Sequence, residues 1–243
     1  MLPKFFFLLL LCCDVASSHA ADIPSAQDIL RQVDRYRLPL NSFEASVRIT
    51  PEQNGKEQEA GTYLIRGANH NQVLVEATSI DQRGQKFLTT DSGLFFYAPR
   101  TKRAIRLTPL QTLRGKASIG DLARISFEHD YSAVLTVLPP QSCAGNNCLA
   151  LELSSKNDAA TYTKITLVVS KDRGQYLPLK AMLYVASGKL LKIAKFDTAS
   201  GGLPPTTHYL DPQDTSAETR VVFETITAVD FPPNTFNPRS LEQ

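Results

Sequence analysis

Side chains able to do chemistry are scarce in this sequence. Beyond position 20 the histidines are His70, His129 and His208, the cysteines are Cys143 and Cys148, and tryptophan is absent. His70 lies in Gly-Ala-Asn-His-Asn, a loop pattern, and His208 lies in a strand-like run, so both read as surface histidines. Glu128-His129-Asp130 offers three metal-ligand types, but consecutive residues on a helix or strand point different ways and cannot converge on one ion. These three therefore read as solvated surface. Gly115-Lys116-Ala117-Ser118 has the end of a phosphate loop, yet Leu110 stands where that loop needs its first glycine. Gly-x-Ser-x-Gly and His-Glu-x-x-His are both missing. No catalytic residue, metal site or cofactor is expected.

Cys143 and Cys148 frame Ser-Cys-Ala-Gly-Asn-Asn-Cys between two strand-like runs, which fits a disulfide across a hairpin loop. Closing so short a loop stabilises by about 2 kcal/mol on the chain-entropy model. Compartment supports the pairing. Lys4, the apolar run from Phe5 to Leu11 and the small residues ending Ser18-His19-Ala20 form a secretory signal, with cleavage expected after Ala20. Residues 1–20 are thus a signal peptide and 21–243 one mature domain. Cys12 and Cys13 do not read as a lipidation site, because Leu11 rather than a small residue precedes them.

The formal net charge is +2, and removing the signal takes one Lys and one Asp, so no strong field remains to attract nucleic acid. Cations do cluster locally at Arg100, Lys102, Arg103 and Arg106, followed by Arg114 and Lys116. A solvated hairpin accounts for them; docking to an acidic partner or lipid headgroup is the alternative. No later run reaches the 18 or so uninterrupted apolar residues of a spanning helix.

The elements follow from periodicity. Ser25 with Asp28 caps a helix whose Ala26, Ile29, Leu30, Val33 and Tyr36 share one face, and Pro39 lies beyond its end. The period then switches to two, with Phe43, Ala45, Val47 and Ile49 alternating against polar neighbours. Strands recur around Tyr63 and Ile65, Val73 and Val75, and over 85–90, 94–98 and 104–107, at the spacing of a meander. Residues 110–131 break that texture, and Ser118 with Asp121 caps a short helix in an insertion. Further strands are expected over 133–138, 149–153, 161–169, 179–185, 190–196, 206–210 and 220–226, and the segment 231–238 reads as an ordered closing tail. The class is mainly β, an antiparallel sheet of about 11–12 strands that hides its edges by closing into a barrel or by helix cover.

Such a sheet has an apolar inner wall. Strand phase assigns to it Val47, Ile49, Tyr63, Ile65, Val73, Val75, Phe87, Leu94, Phe96, Ile105 and Leu107, with Leu113, Ile119, Leu122, Ile125 and Phe127 in the covering insertion. Inward polar groups are few, Arg48 and Lys164 lying on the less apolar faces. A curved sheet of this size is expected to leave more oily wall than two short helices fill, and each methylene placed there contributes about 0.8 kcal/mol, so acyl chains are a sufficient cargo.

Several segments resemble the outer-membrane lipoprotein-sorting family related to the periplasmic lipoprotein carrier LolA. They are Thr89-Thr90-Asp91-Ser92-Gly93-Leu94-Phe95-Phe96-Tyr97-Ala98-Pro99 with Arg103-Ala104-Ile105, Ser118-Ile119-Gly120-Asp121-Leu122 leading to Asp130-Tyr131, and Phe236-Asn237-Pro238. The most specific pair is Tyr176-Leu177-Pro178-Leu179-Lys180-Ala181 with Ser187-Gly188-Lys189-Leu190-Leu191-Lys192. The resemblance covers the mature chain. It implies an unclosed β-barrel with lid helices, a non-enzymatic periplasmic carrier or chaperone, and a cargo of acylated lipoprotein or other lipid. Its implied partners are an inner-membrane transporter and an outer-membrane acceptor, and a monomer is expected. A second reading keeps the groove and makes it an envelope sensor or an accessory module of an export or efflux complex. The longer insertion and the cysteine loop depart from the housekeeping carrier.

Overall fold

The computed structural model describes residues 24–69, 71–124, 126–139, 143 and 147–242. The signal segment, His70 and Ile125 lie outside the described residues. Helix α1 (Ala26–Arg37) opens the fold, and the Ser25 hydroxyl accepts from the Asp28 amide at its N-terminus. Asp28 in the first turn and Arg35 and Arg37 in the last oppose the helix dipole favourably. Ile29, Leu30 and Val33 are its buried stripe.

The first half of the sheet comprises β1 (Ser42–Gln53), β2 (Lys56–Glu57), β3 (Gly61–Ala68), β4 (Gln72–Ala77), β5 (Lys86–Thr90), β6 (Gly93–Tyr97) and β7 (Ala104–Leu107). An insertion follows, made of the small hairpin β8 (Thr112–Arg114) and β9 (Ala117–Ser118), then α2 (Ile119–Ala123) and α3 (Phe127–Asp130). The second half comprises β10 (Tyr131–Thr136), β11 (Cys148–Ser155), β12 (Lys164–Asp172), β13 (Gln175–Tyr184), β14 (Leu190–Phe196), β15 (Thr207–Leu210) and β16 (Ala217–Ala228). A 3-10 turn, η1 (Pro238–Glu242), ends the chain.

Apart from β8 and β9 these strands make one antiparallel sheet of 14 strands, ordered β10-β11-β12-β13-β14-β15-β16-β1-β3-β4-β5-β6-β7 with β2 beside β1. The halves join in the middle through the long β1–β16 pairing, from Phe43 opposite Ala228 to Gln53 opposite Ala217. Its two edges, β7 and β10, are consecutive in the chain, so the insertion between them must cross from one edge to the other. It does so over the concave face. Helix α2 packs on β4 and β5, whereas α3 packs on α1, and α1 lies on β10 and β13.

Bulges at Ser46/Val47, Val168/Val169 and Leu183/Tyr184 bend the sheet. Pro178 pairs with Val169 at one of them, where the ladder is already interrupted, and this is how a central strand tolerates a proline. The strand therefore starts at Gln175, ahead of the start expected from the proline.

Both edges are blunted by side chains. The Gln27 carboxamide oxygen accepts from the Ala133 amide of β10 at 3.3 Å, and a Glu242 oxygen accepts from the Ala104 amide of β7 at 2.9 Å. The closing tail also covers the convex side of β4–β7, where Phe236 and Leu241 bury Leu74 and Leu88. At the far end of the β10–β11 hairpin Cys143 and Cys148 form the expected disulfide, with Cα atoms 6.3 Å apart. Among the described residues no helix is long and apolar enough to cross a membrane.

Candidate functional site: an apolar wall under a clasped lid

Alternation along each strand places Val47, Ile49, Tyr63, Ile65, Val73, Val75, Phe87 and Leu94 on the concave face, and all eight are buried in one cluster. Phe96 and Leu107 sit at its margin, half-buried. From the insertion, Leu113, Ile119, Leu122 and Phe127 descend into the same cluster. Ile105 stands opposite Phe96 on that face but is 49 % exposed, against the buried position assigned to it. The reason is topological: β7 is the edge, so no further strand flanks the side chain.

Half of the wall was not legible in strand phase. Leu151, Leu153, Ile165, Leu167, Val169, Ala181 and Leu183 from β11, β12 and β13 complete the cluster. In β12 the run Ile165-Thr166-Leu167-Val168-Val169 is apolar on both faces, which hides the alternation.

The lid's own side chains fill much of the space expected inside the sheet, and a hollow of about 340 Å³ lies at the β6–β7 edge, lined by Leu94, Leu107, Pro109 and Arg124. Beneath the lid two small spaces of about 20 and 30 Å³ adjoin Asp121, Arg37 and Tyr209, room for a water molecule or two. A further hollow, about 500 Å³, lies outside the wall, between Gln32, Arg35 and Tyr36 of α1, the start of β13 and the glycine-rich loop 199–203. None of the residues assigned to the cavity lines it.

Polar contacts hold the lid to this apolar wall, and sequence reasoning missed them. Lys192 of β14 points inward and is 4 % exposed. Its ammonium donates to Asp121 Oδ2 at 2.6 Å and to the Lys116 carbonyl at 2.7 Å, while sitting over the Tyr209 ring. Asp121 also accepts from the Ser118 amide and hydroxyl, both at 2.8 Å, and from the Tyr162 hydroxyl at 2.6 Å. The capping box of α2 is therefore built around a buried ion pair. Burial, then the charge of Asp121, pushes the Tyr162 phenol well above its ordinary range, so it stays a donor.

A second clasp joins α3 to α1. Asp34 accepts from the Glu128 amide at 2.7 Å and the Ser126 hydroxyl at 2.9 Å. Burial raises its carboxyl pKa, with Arg37 and these hydrogen bonds opposing the shift. The Arg37 guanidinium lies 3.9 Å from the centre of the Phe127 ring. Arg124 donates through Nε to Asp130 at 3.0 Å and through Nη2 to its other oxygen, a bidentate pair. Asp130 is only 3 % exposed, which corrects its reading as solvated surface. Glu128 is tied to Arg31 at 2.8 Å, and His129 faces Asp91 at 3.9 Å, so the three consecutive residues do diverge. Among the described residues no group of three His, Cys, Asp or Glu is placed to hold a metal ion.

The lid sits close. A Cβ added to Gly120 would come within 2.3 Å of Thr161 Oγ1 and 2.9 Å of the Pro109 carbonyl oxygen, so only glycine lets α2 start there. Arg114 and Lys116, grouped with the basic hairpin by sequence, are instead paired with Asp81 and Asp211.

An unclosed β-barrel whose gap is bridged by a helical lid over an apolar wall defines a recognisable class. A LolA superfamily protein of Nitrosomonas europaea shares it with TM-score 0.77 and 28 % identity over 88 % of this chain and 98 % of that one. A domain described as outer membrane lipoprotein-sorting, from Vibrio parahaemolyticus, has TM-score 0.69 at 18 % identity, over 90 % and 98 %. A DUF1329 family protein from Desulfovibrio piger has TM-score 0.68 at 16 % identity, over 89 % and 97 %; these last two likenesses are of fold. The model of a family described as an uncharacterized protein matches residues 69–243. No curated protein matches the sequence. The chain belongs to the family of that model, and its fold is the LolA-like open barrel that these neighbours share.

Proposed function

We propose that this protein is a periplasmic carrier that shelters the acyl chains of lipoproteins or other lipids against its concave wall. The observation that carries the reading is the contrast between the wall and its cover. The wall is apolar from β11 to β6, whereas the insertion over it is short and tied down by Lys192–Asp121 and the Asp34 contacts. A cover of this kind can leave as a unit. Acyl chains then replace Leu113, Ile119, Leu122 and Phe127 against the same residues, and each methylene buried contributes about 0.8 kcal/mol. The closed lid keeps that wall from water when no cargo is present.

Carriage of this sort needs no bond-making step, and the buried polar groups serve as fasteners. The signal at residues 1–20 would export the protein, an inner-membrane transporter would load it, an outer-membrane acceptor would unload it, and one chain would suffice. Native mass spectrometry of protein taken from the envelope without detergent tests the reading. Adducts with the mass of acylated cargo are expected, and Leu122→Asp, which cannot bury its charge against the wall, is expected to lose them. Bare protein in every preparation would remove the proposal.

A further inference from the structure

One end of the sheet carries features that cargo shelter does not use. The register row Glu76, Lys86, Tyr97 and Ala104 brings the end of β4, the start of β5, the end of β6 and the start of β7 side by side. Loop 78–85 and turn 98–103 therefore project together, and Gly84 lies against Pro99. Loop 78–85 is pinned from below: Asp81 accepts from Arg114 at 2.5 Å, Gln82 accepts from the Tyr63 hydroxyl at 3.0 Å, and the Thr78 amide donates to the Thr62 carbonyl at 2.9 Å. Yet this ordered loop holds Ile80 in water, 90 % exposed. Ile105, 49 % exposed, lies one residue into β7 at the same end.

Charge is concentrated there too. Arg83, Lys86, Arg100, Lys102 and Arg103 lie at this end against Asp81, a net of +4 in a chain whose whole net charge is +2. Among the described residues Arg83, Arg100, Lys102 and Arg103 form no salt bridge, whereas Arg31, Arg48, Arg66, Arg114, Arg124 and Arg220 elsewhere each have a carboxylate partner. Asp81, the one acid in the loop, is already held by Arg114.

We infer that this end docks on an anionic lipid surface, with Ile80 entering the acyl boundary and Arg83, Arg100, Lys102 and Arg103 lying over acidic headgroups. An aliphatic side chain held in water on a pinned loop, at the end where cations without salt bridges gather, matches an anionic bilayer better than the shaped surface of a protein. Cations near an anionic leaflet each add about a tenfold preference at most, and one buried isoleucine adds on the order of tenfold more. The site goes beyond cargo shelter and does not depend on it.

The test is co-sedimentation of cargo-free mature protein with vesicles of phosphatidylglycerol and phosphatidylcholine in equal parts, and with vesicles of phosphatidylcholine alone. Binding to the anionic vesicles only, weakened by high salt, is expected. Replacing Arg100, Lys102 and Arg103 together by Gln should weaken it on the order of a hundredfold, and Ile80→Ser on the order of tenfold. These side chains are exposed, so thermal unfolding of the variants should match the parent. Equal binding to both vesicle types, binding unchanged in the variants, or capture by polyglutamate but not by phosphatidylglycerol vesicles would each overturn the inference. Acyl adducts retained by the variants in native mass spectrometry separate this outcome from a failure of the carrier reading.

Discussion

Lys192 decides how the lid is held. An ammonium taken almost wholly out of water is costly, and Asp121, the Lys116 carbonyl and the Tyr209 face together offset that cost. Removing one partner of such a pair strands the other. Lys192→Met is therefore expected to destabilise by about 3–5 kcal/mol in urea unfolding, while Lys192→Met with Asp121→Leu recovers much of the loss. A neutral single variant would show that the pair holds nothing. The convex face carries a pH-sensitive residue as well. His208 is placed between Glu218 at 2.6 Å and Asp197 at 2.9 Å. Burial works against its charged form, but the two carboxylates outweigh it and raise the pKa above 6.5. A raised folded value means that the contribution is complete below the unfolded pKa of 6.5 and disappears as pH climbs through the folded one. The stability difference between the parent and His208→Gln should accordingly be larger near about pH 6 than near about pH 9. A difference that grew with pH would contradict the assignment.

At the scale of elements, local signals were readable wherever one face was wet. The Ser25 cap, the alternation of β1 and the turns between β3 and β7 all appear in the residues, because each strand or helix there has a polar side. Legibility failed in the insertion and at Lys192, as it did along β12. The insertion was read as one short helix, but Ile119 to Asp130 is two short helices separated at Arg124, preceded by a hairpin. Tertiary hydrogen bonds, donated by the Ser126 hydroxyl and the Glu128 amide to Asp34, set that break. Lys192 was missed because β14 is mostly apolar and bulged at its start, so that Leu191, Ala194 and Phe196 all meet the inner cluster and the alternation does not single out an inward lysine. The only trace of its partner was the Ser118–Asp121 capping box, which says nothing of a cation across the sheet. Gly120 gives the element its own test. Gly120→Ala drives a methyl into Thr161 and should cost about 1–3 kcal/mol and loosen α2, seen as faster amide exchange over residues 119–123. Unchanged exchange there would mean that the close contact does not hold the lid.

For the whole molecule, the order of strands explains why a lid exists at all. The first and last strands of the sheet, β1 and β16, pair in its middle, so its sequence-central strands become the two edges. The segment that crosses between them runs over the apolar face, and it fills much of the space that strand phase leaves for a ligand. The expected oily wall is present, with the lid packed over most of it and a hollow at the β6–β7 edge. On the proposed carrier reading, cargo would displace the lid from that wall, which makes lid movement the centre of the account. Amide hydrogen exchange of the mature protein, with and without a synthetic acylated lipopeptide, measures it directly. Residues 116–130 should lose protection as the lipopeptide binds while β4 and β5 stay protected. Lipopeptide binding that leaves the exchange of 116–130 unaltered would contradict it.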